Sequence, residues 1–290
     1  MPVHNETVKT AVRERLMALE DYFQGDVAFY YGALGNDVLR SFRDFIEQLA
    51  ATTRFGRARL VFFLNTPGGS VEVAEKMVEI MRYHYPEVLF VVPDYAFSAG
   101  TILCMSGNRI YMEYSSALGP IDPQVWNGNQ WVPALGYLDW VQIMVNKSAA
   151  GQLTNAEFLI LQNQDPALLS KYEQARNLTI TLLKKWLVDY KFQDWTQHNT
   201  NPAKIGTSVT LAEKQQRAEE IANALGNNQY WHSHGRMIGP ITLQSVLKLR
   251  IDDYSSDRTL QSLIRSYNDL LTGHIGRGTY PLFMNSRDYF

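Results

Sequence analysis

The apolar positions fall into two alternating kinds of run. Short unbroken runs at 27–31, 60–64, 88–92 and 109–112 read as strands buried on both faces. Stretches with helical spacing stand before and between them. They are 8–23, through Val12, Leu16, Leu19 and Tyr22, and about 37–49, through Phe42, Phe45, Ile46 and Leu49 with Asn36 as cap. A third, 71–83, carries Val71, Ala74, Met77, Val78 and Met81, and a short one ends near Ser106. Strands alternating with helices imply right-handed βαβ crossovers and a mostly parallel sheet, hence an α/β fold.

After Pro123 the pattern changes. Residues 126–140 are rich in Gly, Asn and aromatics and show no period. Helices follow at 154–162 and 166–190, the second amphipathic through Leu169, Tyr172, Ala175, Leu178, Leu182 and Trp186. Beyond a polar connector, Thr210 with Glu213 forms a capping box for a helix over 210–225, and Pro240 precedes a short one at 241–247. The chain thus divides into a core over 1–125, a helical extension over 126–256 and a tail over 257–290 with no assigned element.

Two small-residue turns in the core carry candidate chemistry. Asn65-Thr66-Pro67-Gly68-Gly69-Ser70 follows the run at 60–64, and Ala96-Phe97-Ser98-Ala99-Gly100-Thr101 follows the run at 88–92. Both sit at carboxyl ends of strands, where open α/β sheets bind ligands. Gly68 and Gly69 let backbone N–H groups approach an anionic oxygen, and Ser98 at a helix start presents a hydroxyl where developing negative charge is favoured. An oxyanion cradle beside a serine nucleophile points to acyl transfer. Taken singly, the same residues also make an ordinary βα turn and an ordinary N-cap.

Composition narrows the partners. The 290 residues are 46% hydrophobic and 19% charged with net charge −2, so no overall field draws the chain to nucleic acid or anionic lipid. The single cysteine, Cys104, excludes an internal disulfide and a cysteine-rich metal site. His232 and His234 lack a third ligand at a recognisable spacing, so no metal is assigned. The opening residues lack the basic and apolar regions of a signal peptide, and the longest apolar stretch, 88–105, is broken by Pro93, Asp94 and Gly100. The expectation is a cytoplasmic, soluble chain.

With a third block, Ala117-Leu118-Gly119-Pro120-Ile121-Asp122-Pro123-Gln124, and a later one, 232–238, the sequence resembles the serine dehydrogenase proteinase family. That family lies in the Clp protease/crotonase superfamily and is related to signal peptide peptidase A and to membrane-bound stomatin-cleaving proteases. The resemblance implies a Clp/crotonase-like ββα superhelix with additional helices, serine peptidase activity without a cofactor, a peptide or protein substrate, and homo-oligomeric assembly. It implies Ser98 as nucleophile and Gly68, Gly69 and Ala99 around the oxyanion. An inactive oligomeric scaffold and a crotonase-type acyl-CoA enzyme are the rival readings.

The base is open at this level. The Clp proteolytic subunit draws a histidine from the segment equivalent to the third block, and none stands here. The membrane-bound relatives use a Ser-Lys dyad, and the nearest positional match is Lys171, beside Leu168-Leu169, where partial burial would lower its pKa. Lys147 is the second lysine candidate. His234 and Asp122 are supporting candidates, the latter to orient a base or hold backbone donors.

Overall fold

The computed structural model describes residues 2–126, 131–199 and 201–290. Helix α1 (Pro2–Phe23) leads into β1 (Asp26–Gly32), α2 (Leu39–Ala51), β2 (Arg59–Asn65), α3 (Val71–His84) and β3 (Glu87–Val91). A short strand β4 (Tyr95–Ala96) precedes α4 (Ala99–Cys104), β5 (Arg109–Met112) and β6 (Ala117–Leu118). Next come β7 (Gln124–Trp126), β8 (Trp131–Pro133), α5 (Ala134–Ala149), α6 (Asn155–Gln162) and α7 (Pro166–Trp186). The chain closes with α8 (Leu211–Leu225), α9 (Asn228–Trp231), α10 (Pro240–Ser245), β9 (Asp252–Asp253), α11 (Arg258–Gly278) and β10 (Leu282–Asn285). Of the aromatic-rich segment 126–140, residues 127–130 lie outside the described residues.

The central sheet runs β10-β1-β2-β3-β5-β9, parallel throughout except for β10, which pairs antiparallel with β1. The middle positions of β1, β2, β3 and β5 are apolar because both faces are covered, and the charged Asp26, Arg59, Glu87 and Arg109 stand at the strand starts. Ala28, Tyr30, Leu60, Phe62, Leu64, Val88 and Phe90 join a core with α2, α3, α4, α7 and α8. The alternate positions, Val27, Phe29, Val61, Phe63, Leu89 and Val91, pack against α1 and α11. This is the period-2 alternation of a strand between two helical layers.

Three expectations need correction. Asn36 is no helix cap: Asn36–Val38 forms a 3-10 turn, with Val38 N–H bonded to Gly35 O, and α2 begins after it without a capping side chain. The helix expected over 166–190 ends at Trp186, where Leu187–Lys191 widens into a π turn and Phe192 N–H reaches back to Leu187 O at 2.7 Å. The chain after Ser256, to which the pattern assigns no element, supplies α11 and β10. Asp257 caps α11 by accepting from Leu260 N–H, and Leu260, Ile264, Tyr267, Leu271 and Ile275 form its buried stripe.

This tail also reaches the carboxyl ends of the strands. Asn268 on α11 accepts from Asn65 Nδ2 at 2.9 Å and donates to Asp94 Oδ2 at 2.9 Å. At the opposite end of the sheet, Arg287 joins the buried carboxylates of Glu20 and Asp26. Ile264 is fully buried in the second core. Ile264→Ala should therefore lower the unfolding free energy by about 2–5 kcal/mol, read from urea denaturation. A change near zero would mean that α11 is not part of the cooperative core.

Candidate active site

Thr66 joins the two small-residue turns. Its N–H donates to Tyr95 O and its carbonyl accepts from Phe97 N–H, both at 3.0 Å, so the end of β2 lies alongside β4. From there the chain passes Gly68 at φ +99° and Gly69 at φ +148°, both in conformations that L side chains rarely adopt. Space is as restrictive as angle. A Cβ at position 68 would lie 2.6 Å from Phe97 O and 2.9 Å from Ser98 Cβ, and one at position 69 would lie 2.4 Å from Leu34 O. Leu34 clamps the turn by donating to Gly68 O at 2.8 Å and accepting from Ser70 N–H at 2.9 Å. Ser70 then caps α3 by accepting from Val73 N–H.

Ser98 is held at φ +52°, ψ −117°, a strained conformation for a residue with a side chain. It occupies the cap position of α4, yet its hydroxyl makes no capping bond. The side chain is half-buried beneath the Gly68 turn. The expectation of an ordinary N-cap therefore fails: the hydroxyl is withheld from the helix. Gly68 N–H is already spent on Thr66 Oγ1 at 3.0 Å. Among the described residues, Gly69 N–H and Ala99 N–H have no hydrogen-bond partner, and Ala99 N–H stands at the positive end of α4.

The third sequence block packs against this turn. β4 pairs in parallel with β6, Ala96 opposite Leu118, and Leu118 bridges antiparallel to Ile238. The Thr101 hydroxyl accepts from Gly119 N–H at 2.9 Å and lies 2.8 Å from Ala96 O, tying the serine turn to the 119–122 segment. Beyond it, Asp122 is 1% exposed. His234 Nδ1 lies 2.8 Å from Asp122 Oδ1, and Gln124 Nε2 donates to Oδ2 at 2.9 Å. A carboxylate only accepts, so Nδ1 of His234 is the donor in this pair, and in the neutral ring the lone pair falls to Nε2.

The structure thus brings Ser98, Gly68, Gly69 and Ala99 together, and pairs Asp122 with His234. His232 does not share a strand face with His234: it ends α9 in the left-handed conformation, and His234 sits in the following turn. No group of three or more His, Cys, Asp or Glu placed to hold a metal occurs among the described residues. Lys171 is exposed, because the first turn of α7 projects beyond the core and burial begins only at Tyr172. The partial burial expected from Leu168 is absent, since Leu168 is exposed too. Lys147 is committed elsewhere: its amine bonds Glu157 at 2.5 Å and, with the Thr154 cap, pulls that carboxyl down to about 2. Burial pushes the Cys104 thiol up, leaving it protonated and inert.

Sequence reasoning missed Leu34, Thr66 and Thr101. Leu34 and Thr66 act through backbone bonds, and Thr101 through its hydroxyl, to residues distant in sequence, which no local pattern displays. Gly69→Ala should cost about 1–3 kcal/mol through strain and the Leu34 clash. Gly276→Ala, a helical glycine with open space around its missing Cβ, should gain about 0.5–1 kcal/mol. Paired denaturation curves check both signs.

Two uncharacterized proteins of Methanocaldococcus jannaschii are 37% and 29% identical to this chain, each over 62 residues. That stretch is 21% of this chain and 22% and 21% of theirs, so the chain spans about a fifth of the length of these curated relatives. Two mutants of the 1510-N membrane-bound stomatin-specific protease have been solved. One, in complex with a substrate peptide, is 17% identical with a TM-score of 0.36, covering 55% of this chain and 57% of its own. The other is 13% identical with a TM-score of 0.46, covering 81% and 83%. Residues 56–201, half of the chain, match the family model of the ClpP-like SDH-type serine proteinases, and the chain belongs to that family.

Proposed function

We propose that the protein is a serine peptidase that hydrolyses peptide bonds with Ser98 as nucleophile. The observation that carries this reading is the strained Ser98 turn, whose hydroxyl makes no capping bond and whose neighbours Gly69 and Ala99 keep unspent N–H groups. Ser98 Oγ attacks the scissile carbonyl while His234 Nε2 takes its proton. The tetrahedral oxyanion is held by Gly69 and Ala99 N–H. His234 returns the proton to the leaving amine, and a water repeats the sequence to release the acyl group. Asp122 keeps His234 in the required tautomer and stabilises the imidazolium.

The Ser-Lys dyad implied by resemblance would need Lys171 to lose its proton, which burial favours and exposure does not. His234 is the better-supported base because a buried carboxylate already orients it. The substrate class is a peptide or protein. Homo-oligomerisation is part of the proposal: Ile143, Val145, Phe158, Leu159, Ile160 and Leu168 leave apolar surface exposed on α5, α6 and α7. Among the described residues no helix is long and apolar enough to cross a membrane.

Ser98→Ala should reduce peptide hydrolysis by about 10³-fold or more and abolish fluorophosphonate labelling, with the melting temperature close to that of the wild type because Ala keeps the Cβ and the same backbone. Unchanged hydrolysis by that variant would remove Ser98 from the chemistry. A wild-type protein that folds, assembles and neither hydrolyses nor labels would favour the scaffold reading.

His234→Gln and Asp122→Asn should each lower kcat by about 10²–10⁴-fold. Lys171→Met should stay close to wild type. The opposite ranking, with Lys171→Met inactive and His234→Gln active, would restore the lysine dyad.

A further inference from the structure

The buried face of α7 carries three polar groups with nothing to bind. Tyr172 Oη, Arg176 Nε and Thr179 Oγ1 are shielded from solvent and make no hydrogen bond. They stand at i, i+4 and i+7, one stripe of the helix. Burying such groups unpaired is costly, and native proteins avoid it. Three of them aligned on one helix call for an absent partner. Arg176 has only a distant ion pair, its Nη2 lying 3.9 Å from Glu173. Thr179 is 2% exposed.

Arg176 and Thr179 line a cavity of about 90 Å³, room for about three waters or one carboxymethyl group. The opposite wall is the C-terminal end of α8, with Asn223 and Gly226, and the near wall is Ile121 and Pro123. Those two flank Asp122, and Ile121 N–H is tied to Leu225 O at 3.2 Å. The cavity therefore backs directly onto the segment that positions His234.

We infer that this cavity is a binding site for a carboxylate group, held by Arg176 and Thr179. One guanidinium, partly offset by Glu173, suits a monoanion better than a phosphate dianion. A hydroxyl and an Nε–H on one stripe supply two donors, as a carboxylate requires. The carrier is a peptide, either through its C-terminal carboxylate or through an acidic side chain. For the identity of that carrier the inference rests on the peptidase reading; the existence of the site does not.

The test uses the full-length Ser98→Ala protein, so that binding is read without cleavage. A short peptide with a free C-terminal acid, its C-terminal amide, and an amide-capped peptide bearing one aspartate are titrated calorimetrically, with acetate and inorganic phosphate alongside. A carboxylate-bearing probe should bind about tenfold or more tightly than the uncharged amide. Adding Arg176→Met should abolish that preference and Thr179→Val should reduce it. Thr179→Val removes an unpaired buried hydroxyl, so its melting temperature should hold or rise, separating ligand loss from misfolding. Preference for the acid peptide, the aspartate peptide or acetate alone identifies the source of the carboxylate, and each supports the site. Failure of every carboxylate-bearing probe to bind more tightly than the uncharged amide, preference surviving Arg176→Met, or tighter binding of phosphate than of any carboxylate would overturn it. Hydrolysis by the protein with Ser98 intact is scored separately, so loss of the peptidase reading leaves the acetate result standing.

Discussion

The candidate site depends on how closely two backbone turns approach. The Gly68-Gly69 turn lies so near Leu34, Phe97 and Ser98 that no side chain fits at either glycine. Beside that contact, Gly69 N–H and Ala99 N–H make no hydrogen bond among the described residues. The close approach also requires Ser98 to adopt positive φ, a strain that the surrounding bonds must hold in place. Thr66, Leu34 and Thr101 supply those bonds, each linking the turn to a different part of the sheet region.

The rest of the molecule keeps that approach fixed. Parallel strands buried on both faces set the height of the two turns, since both follow adjacent strands paired in register. α11 covers one face and reaches over the strand ends through Asn268, which ties the end of β2 to the loop before β4. The C-terminal residues are thus structural partners of the serine turn although they stand far from it in sequence. The helical extension contributes differently. The loop that carries His234 is fastened by the Leu118–Ile238 bridge, and α7 with α8 lines the small cavity behind Asp122.

Much of the core was legible because its signals are local. The runs at 27–31, 60–64, 88–92 and 109–112 are strands within a residue or two of the expected ends. The capping box at Thr210 and Glu213 forms as its spacing implies. α11 was legible in principle, since Leu260, Ile264, Tyr267 and Leu271 keep helical spacing. Lys171 shows where local reasoning fails. Neighbouring leucines suggest burial, but which side of a helix faces the core is set by the elements packed against it. Here that side carries Tyr172, Arg176 and Thr179.

The sequence by itself determined the parallel α/β layering, the two glycine- and serine-bearing turns and their place at strand ends. Those features follow from periodicity, strand burial and the stereochemistry of glycine, all encoded within a few residues. Only the tertiary structure decided which N–H groups remain unspent, that Asp122 pairs with His234, 112 residues away, and that Lys171 faces solvent. Hydrogen-bond pairing and burial are properties of segments brought together by the fold, and separations of that length leave no periodic trace along the chain.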